Sequence, residues 1–365
     1  MATDSYDIVI VGGGPAGCAA AIAAREHQLR ALVIECGAEP VTSPCAGWVG
    51  AAAAELCRCV GVDPVRVGTA FSGLRIRSWD FKHCSEVDDP ALSGVVVQTA
   101  VLGRALLAAL EAAGIAVQRR TSVQALHLGE AAATLRLSTG CTVVGQLVVI
   151  ADGVASPTAE LARVAAAREM ARPQACAVAV FPTPRPGSGM DVVLGTGRGL
   201  KLATITRGRD ELRVSLLTHD ASAPATVQLM ALLTDARSAG AIPREFDAPA
   251  LPAPCLAGVA LEMDTHVGKR CLLIGDAGGF VTSFSNEGLY PALRSGALAA
   301  EATARALRAS VLQDELASFS AAWRADLADY LRMPSTDLGL LLPVVFSNRA
   351  MARRVARAFL LGQAF

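Results

Sequence analysis

The sequence has few aromatic residues and no excess of either charge. Aromatic side chains make up 4% of its 365 residues, and 33 Lys and Arg balance 33 Asp and Glu. A chain without net charge has no overall field that would attract nucleic acid or an anionic membrane, so we expect no nucleic-acid partner. The composition is still 52% hydrophobic, which suits a globular protein of about two domains.

Long apolar runs and paired cysteines are also lacking. No apolar run reaches the roughly 18 residues that span a bilayer, and the stretch Leu338 to Phe346 is short and contains Pro343. No basic, signal-like segment precedes the first predicted strand. The 10 cysteines include no CxxC pair, and no Cys/His pair has zinc spacing. The sequence therefore predicts a cytoplasmic protein with reduced thiols and no metal site.

The stretch from Tyr6 to Cys36 alternates strand and helix patterns around a glycine-rich turn. An apolar run, Ile8 to Val11, predicts a buried strand, and a helical pattern follows from Pro15 to Glu26. A second apolar run, Leu32-Val33-Ile34, then ends on an acidic residue. This order of elements is typical of a dinucleotide-binding unit.

The glycines of this turn have separate roles in such a unit. The first allows a tight turn, the second lets a pyrophosphate approach the backbone, and the third lets the helix lie close to the sheet. The N–H groups at the helix N-terminus face the phosphates, and an acid about 20 residues later accepts hydrogen bonds from a ribose. The residues expected to contact the cofactor here are Gly12, Gly14, Pro15, Ala16, Gly17, Glu35 and Cys36.

Two later strand patterns also end in glycine and aspartate. One ends at Asp152-Gly153 and the other at Gly275-Asp276, where the sequence continues as GDAGGFVTSFSNEGLYPALRSG. With the first turn, these sites resemble FAD-dependent oxidoreductases of the para-hydroxybenzoate hydroxylase type. Within that type the last run is similar to GDAAGFVNPLTGEGIYYAMKSG of the geranylgeranyl reductase branch. The resemblance covers most of residues 1–308.

The resemblance implies an α/β fold: a Rossmann-type FAD-binding domain, an inserted antiparallel β-sheet substrate domain and a C-terminal helical segment. The expected FAD-binding domain comprises residues 1–70, 99–160 and 265–308. The substrate domain comprises 71–98 and 161–264, and the C-terminal helices comprise 309–365. Residues 195–199, although rich in glycine, are interpreted as a hairpin turn rather than a second nucleotide site.

The resemblance also implies cofactor contacts outside the first turn. Asp276 would bind the ribityl or pyrophosphate part of FAD, and the backbone of residues 286–289 would lie near the flavin N1/O2 edge. The loop that begins Cys45-Ala46 would lie beside the isoalloxazine. The further residues that match the motifs of the type are Arg104, Val123, Asp152, Gly153, Gly275, Asn286, Glu287, Gly288 and Leu289.

Some residues depart from that pattern. Ser283 stands where the branch usually has proline, and Asn286 stands where it usually has glycine. The aromatic Tyr-x-Trp-x-Phe-Pro strand of archaeal geranylgeranyl reductases is missing, because residues 199–206 read GLKLATIT. The halogenase signature Trp-x-Trp-x-Ile-Pro is missing too. No second Rossmann fingerprint is present, so a nicotinamide would bind transiently, or a separate protein would supply electrons.

The loop from residue 39 to 48 supplies two pocket candidates for the chemistry, Cys45 and Trp48. Loops at the carboxyl ends of parallel strands are where ligands meet such folds. Equally, Cys45 would be a small buried residue and Trp48 a packing residue. Both interpretations stay open at this point.

The expected function is reduction, or the reverse desaturation, of C=C bonds in a hydrophobic prenyl- or polyene-like molecule. The alternatives are an aromatic or polyketide monooxygenase and, third, a peripheral membrane electron carrier. The third rests on the segment 349–365, a basic amphipathic helix pattern that suits a membrane surface or the cover of an apolar tunnel. A solvated face on a packed helix is the alternative for this segment.

Overall fold

A computed structural model describes residues 5–39, 47–171, 176–182, 187–197, 199–335 and 338–363. Strands and helices are numbered in chain order. The strands are β1 Ser5–Val11, β2 Ala31–Ile34, β3 Trp48–Gly50, β4 Gly68–Ser72, β5 Leu74–Ser78, β6 Cys84–Val87, β7 Ser93–Val97, β8 Ala116–Gln118, β9 Val123–Leu128, β10 Ala133–Leu137, β11 Thr142–Ile150, β12 Cys176–Pro182, β13 Gly189–Gly195, β14 Lys201–Arg207, β15 Glu211–Thr218, β16 Leu251–Ala253, β17 Val267–Gly268 and β18 Cys271–Leu273.

Helices cover both sheets and form the C-terminal part of the chain. They are α1 Pro15–Glu26, α2 Ala51–Cys59, α3 Pro64–Val67, α4 Thr99–Ala112, α5 Pro157–Ala162, α6 Ala225–Ser238, α7 Val259–Glu262, α8 Leu289–Ala306, α9 Leu312–Leu331, α10 Leu338–Val345 and α11 Arg349–Leu361. Two short 3₁₀ segments lie at Ala167–Glu169 and Gly275–Gly278.

The first sheet has the strand order β17-β18-β11-β1-β2-β8, and the hairpin of β9 and β10 extends it from β11. Strands β18, β11, β1, β2 and β8 run parallel. Their side chains are apolar on both faces, because helices cover one face and β10, α5 and α7 cover the other. A parallel sheet buried on both faces is the arrangement expected of a Rossmann-type domain.

Helices α1 and α8 lie against each other on one face of this sheet. A Cβ placed on Gly296 of α8 would lie 2.3 Å from the Ala16 carbonyl oxygen, so only glycine permits this approach. Phe319 and Trp323 of α9 complete the core on that side. The close packing brings the N-termini of α1 and α8 to the same region of the molecule.

The second sheet has the order β16-β12-β15-β14-β13-β5-β6 and is antiparallel except for the parallel pair β13 and β5. One face packs against α6 in a core that includes Ile205 and Val214. The opposite face, which includes Leu202 and Leu217, packs against α11. The α/β fold class with a C-terminal helical segment is confirmed. Strands β13 and β14 pair antiparallel, with Gly195 opposite Lys201, as expected of a hairpin.

Three features of the strands are not evident from local sequence patterns. Strand β11 is continuous through Gly145, where an added Cβ would lie 2.7 Å from Val9 Cγ2. The proline-rich stretch from 243 to 257 contains the edge strand β16. Residues 71–97 divide between two sheets, because β4 and β7 join β3 in a small sheet of their own.

The apolar side of α11 is buried in the protein. Val355, Phe359 and Leu360 pack with residues of the second sheet, whereas Arg353 and Arg354 are exposed. This is the arrangement of a packed helix with a solvated basic face. Among the described residues, no helix is long and apolar enough to cross a membrane.

Candidate functional site

The carboxyl ends of the parallel strands meet at one edge of the first sheet. Val11 pairs with Ile34 on one side and with Ile150 on the other, and Ile150 pairs with Leu273. The residues that follow these strands therefore lie at the same level, although they are far apart in sequence. The three glycine- and acid-bearing turns predicted from the sequence come together at this edge, where open α/β sheets bind their ligands.

The glycines of the first turn show three different environments. Gly12 has φ +110°, and a Cβ there would lie 2.2 Å from the Ala151 carbonyl oxygen. A Cβ on Gly17 would lie 1.9 Å from the Gly12 carbonyl oxygen. Gly14, the N-cap of α1, would meet no protein atom within 4 Å. Pro15 follows as the first helical residue, so open space lies directly before the α1 N-terminus, as phosphate binding requires.

Glu35 holds the turn in place. Its Oε2 accepts a hydrogen bond from Gly13 N at 2.7 Å, and its Oε1 accepts one from Gly37 N at 2.7 Å. Oε1 also accepts a hydrogen bond from Cys36 Sγ at 3.5 Å, so Oε2 is the oxygen that retains a lone pair for a ribose hydroxyl. Cys36 lies at the surface. The part of its thiol that is shielded from water and the neighbouring Glu35 carboxylate both raise the pKa of the thiol.

Two of the predicted contacts lie around this corner of the sheet. Thr121 N donates to the Glu35 carbonyl at 3.0 Å, which places Val123, two residues later, close to the end of β2. Arg104 projects from α4 and is exposed. Its guanidinium has no hydrogen-bond or ion-pair partner within the described parts of the chain. It is thus available to an anionic ligand.

Asp152 caps a helix. Its carboxylate accepts hydrogen bonds from Ser156 Oγ at 2.6 Å and from Thr158 N at 3.0 Å, at the start of α5. Gly153 has φ +80°, and no protein atom lies within 4 Å of a Cβ placed there. Asp152 therefore fixes the start of α5, and the space beside Gly153 is open.

Gly275 and Asp276 adjoin the first turn. A Cβ on Gly275 would lie 2.7 Å from Ala16 Cβ. The Asp276 carboxylate has no hydrogen-bond partner among the described residues, and burial raises its pKa to about 6. An acceptor placed in this way fits a ligand that brings its own hydroxyl donors.

The segment 286–289 continues from Asp276 into α8. Asp276 Oδ1 lies 3.6 Å from the position of a Cβ on Gly288, the N-cap of α8. Asn286 has φ +53°, in the left-handed region that favours glycine and tolerates asparagine. This backbone conformation explains why Asn286 can stand where the related sequences have glycine.

The cleft thus offers space at one helix N-terminus, an unpaired carboxylate in the middle and a second helix N-terminus beyond it. This sequence of groups fits the pyrophosphate, the ribityl chain and the isoalloxazine of FAD. Residues 5–308 match a family model described as "FAD binding domain". The chain belongs to the FAD binding domain family. FAD is the cofactor of this oxidoreductase.

Solved structures with this fold include different flavoproteins. A geranylgeranyl bacteriochlorophyll reductase-like protein from Thermoplasma acidophilum is 19% identical, with 99% of this chain and 98% of that chain covered and a TM-score of 0.73. PqsL, a probable FAD-dependent monooxygenase from Pseudomonas aeruginosa, is 19% identical over 97% of this chain and 99% of that chain, with a TM-score of 0.68. The flavin-dependent brominase Bmp2 is 16% identical over 97% and 93%, with a TM-score of 0.68. No curated protein sequence matches significantly.

Three buried aromatic side chains, together called the apolar wall, pack against one another where α11 meets the segment that leads into α8. Phe359 of α11 contacts Trp48 and Phe284, with ring centroids 5.8 Å and 5.7 Å apart. Trp48 is 6% exposed, so it packs in this wall, and a direct role in the chemistry stays a prediction. Cys45 and Ala46 lie outside the described residues.

Sequence reasoning missed the polar residues on the same face of the second sheet. Thr204 Oγ1 and Ser215 Oγ are 2.6 Å apart. Arg213, which is 1% exposed, pairs with Glu211 at 3.0 Å and lies beside Gly47. The signal was present in β15, where polar Arg213 and Ser215 alternate with apolar residues.

Proposed function

We propose that the protein is an FAD-dependent reductase, or in the reverse direction a desaturase, of C=C bonds in a hydrophobic prenyl- or polyene-like molecule. The observation that carries the proposal is the contact of Phe359 with both Trp48 and Phe284, which builds an apolar wall next to the segment that leads into α8. Such a wall excludes water and orients an apolar substrate. The similarity in fold to the reductase-like protein from Thermoplasma acidophilum supports the same class.

In this proposal the chain's own residues bind and position. The turn from Gly12 to Gly17 holds the pyrophosphate, Asp276 binds the ribityl hydroxyls, and the wall holds the alkene. The bound flavin, when reduced, would supply a hydride from N5 to one alkene carbon, and water or a nearby acid would supply the proton for the other. Electrons come from a transiently bound nicotinamide or from a separate protein donor.

The decisive experiment is an anaerobic reaction of dithionite-reduced holoprotein with prenyl alkenes, polyenes and quinones, followed by flavin absorbance. We expect an alkene to reoxidise the flavin in the absence of oxygen, with a saturated product detected by mass spectrometry. Reoxidation by oxygen alone, faster when an aromatic substrate is present, would contradict the reductase and favour an oxygenase.

The second candidate is a monooxygenase that acts on an aromatic or polyketide molecule. Buried Arg213 and the Thr204–Ser215 pair favour it, because they place polar groups on a face that would otherwise be apolar. Arg213→Gln should then weaken substrate binding to a greater extent for acidic aromatic substrates than for neutral ones. Similarity in fold to PqsL also supports this candidate.

A peripheral membrane electron carrier is the third candidate. Because the apolar face of α11 is buried, membrane contact would depend on its exposed Arg349 and Arg354. Flotation with anionic liposomes, compared between the wild-type protein and the double variant R349A/R354A, tests this. Equal flotation of both proteins would remove α11 as the contact.

A further inference from the structure

A buried carboxyl group lies at the N-terminus of α8. Glu287 is 5% exposed, and its Oε1 accepts a hydrogen bond from Tyr290 N in the first turn of the helix at 2.6 Å. Its Oε2 accepts one from Tyr330 Oη of α9 at 3.3 Å. The backbone of Glu287 is fixed as well, through Thr282 Oγ1 at 2.9 Å and Thr282 N at 2.9 Å. The carboxyl group is therefore held firmly in one position.

This position is next to the flavin end of the cofactor. The following residue, Gly288, is close to the Asp276 carboxylate, because a Cβ placed on it would lie 3.6 Å from Asp276 Oδ1. The resemblance to FAD-dependent oxidoreductases implies that Asp276 meets the middle of the cofactor and that residues 286–289 adjoin its flavin end. The α8 N-terminus has a partial positive charge that would stabilise negative charge on a neighbouring ligand. An ionised Glu287 opposes this effect, because it brings a full negative charge to the same helix end. A protonated Glu287 leaves the effect intact.

We propose that the Glu287 carboxylate binds one proton when the neighbouring flavin is reduced. Glu287 is thus a positioning residue, and its proton uptake sets how the midpoint potential of bound FAD depends on pH. The step balances as two electrons and one proton on the flavin, which then carries one negative charge, and one further proton on the Glu287 carboxylate. The inference rests on FAD binding and not on the proposed substrate.

The groups around Glu287 favour such a proton. Burial raises the pKa of Glu287 to about 7, despite the hydrogen bonds from Tyr290, Tyr330 and Leu289 that lower it. Burial raises the pKa of the Cys57 thiol, in α2, to about 12. Burial also raises the pKa of the Tyr330 hydroxyl well above its ordinary value. Both groups beside Glu287 are therefore neutral near pH 7.

The remaining charged groups near this site are in the cleft and on the outer side of α8. The Asp276 carboxylate lies in the cleft beside Gly288. Arg294 and Asp326 face Tyr290, form an ion pair at 2.6 Å and compensate each other. Among the described residues, no unpaired cation near Glu287 would offset a negative charge added to the flavin. Such a charge therefore favours protonation of the Glu287 carboxylate.

The test is the midpoint potential of bound FAD as a function of pH, measured by spectroelectrochemistry on the holoprotein without substrate. We expect two protons per two electrons over a range that begins near neutral pH, and one proton per two electrons below it. Glu287→Gln keeps a hydrogen-bond acceptor but cannot titrate, so it should show one proton throughout and a more positive potential above neutral pH.

Two further variants support the assignment. Tyr330→Phe removes a hydrogen bond that favours the charged form, so the onset of the two-proton range should move to higher pH. Glu301→Gln removes a carboxylate from the same helix, 40% exposed and 3.7 Å from Arg294, and should leave the profile unchanged.

A wild-type profile with one proton throughout would overturn the inference, as would a two-proton range that persists in Glu287→Gln. If Glu287→Gln does not retain FAD, the Tyr330→Phe profile decides: an unchanged onset also overturns the inference. None of these outcomes depends on which substrate the protein reduces or oxygenates.

Discussion

Among single residues, the glycines at the α1 N-terminus separate folding from cofactor binding. A Cβ on Gly14 would meet no protein atom within 4 Å, so Gly14→Ala should fold normally and yet obstruct the pyrophosphate. We expect at least a tenfold loss of FAD affinity, equal to about 1.4 kcal/mol, in a fluorescence titration. Gly12→Ala is the comparison, because its Cβ would lie 2.2 Å from the Ala151 carbonyl oxygen and should destabilise the fold. Equal affinity for FAD in Gly14→Ala and the wild type would contradict this assignment.

His266 makes the free energy of unfolding depend on pH in the acidic range. It is 0% exposed, its Nε2 donates to the Gly278 carbonyl at 2.8 Å, and burial lowers its pKa to about 4. The unfolded chain, with a histidine pKa of about 6.5, binds the proton more readily. The contribution of His266 is therefore complete above about pH 6.5 and is lost as pH falls toward 4, by about 3 kcal/mol in total.

Urea unfolding at several pH values measures this dependence. His266→Phe keeps an aromatic ring beside Phe280 and Trp323, and its free energy of unfolding should vary less between pH 6.5 and 4. The variant should also be less stable at neutral pH, because the Gly278 carbonyl loses its donor. An identical pH dependence in both proteins would assign the acid sensitivity to other groups.

Some residues of the site could be found in the sequence and others could not. The turn at Gly12 and the acid Glu35 were predictable, because their spacing reflects local geometry. The proximity of Glu287 to Tyr330 was not, because it arises from the packing of α8 against α9. Asn286 looked like a departure from the related sequences until its left-handed backbone was known.

At the scale of elements, helix α11 covers one face of the second sheet, and substitutions in it test how much this packing stabilises the fold. Phe359 is 1% exposed and contacts Trp48 and Phe284. Phe359→Ala should lower the free energy of unfolding by about 3–5 kcal/mol and change the fluorescence of Trp48. Leu340→Ala, at a side chain 76% exposed on α10, should change stability by less than about 0.5 kcal/mol. Similar effects of both substitutions would contradict the packing described for α11.

Prediction of the elements succeeded where local patterns decide and failed where pairing decides. The helix α1 was predicted with its observed bounds, because Pro15 and the preceding glycines mark its start. Strand β16 was missed because Pro252 suggests a linker, although proline is tolerated in an edge strand such as this one. The small sheet of β3, β7 and β4 depends on long-range pairing that no local pattern reveals.

For the whole molecule, FAD should act as a structural component. The cleft is formed by three turns that follow different strands of one sheet. Because these turns meet only in the folded protein, a ligand that contacts all three binds the folded state and not the unfolded chain. At a free concentration one hundred times the dissociation constant, we expect stabilisation of about 2.7 kcal/mol, visible as a higher melting temperature. With at least tenfold weaker binding, Gly14→Ala should lose at least about half of this stabilisation at the same FAD concentration while retaining the melting temperature of the apoprotein.

The order of the strands in the first sheet has a consequence for how the protein is made. Strand β11 lies between β1, the first strand in the chain, and β18, which comes after every strand of the second sheet. At about 5–20 residues per second, a ribosome completes β1 well before it reaches Cys271 and Asp276. The nascent chain therefore cannot form the cofactor cleft until the second sheet has been synthesised. Loading with FAD is consequently expected to follow the synthesis of the second sheet.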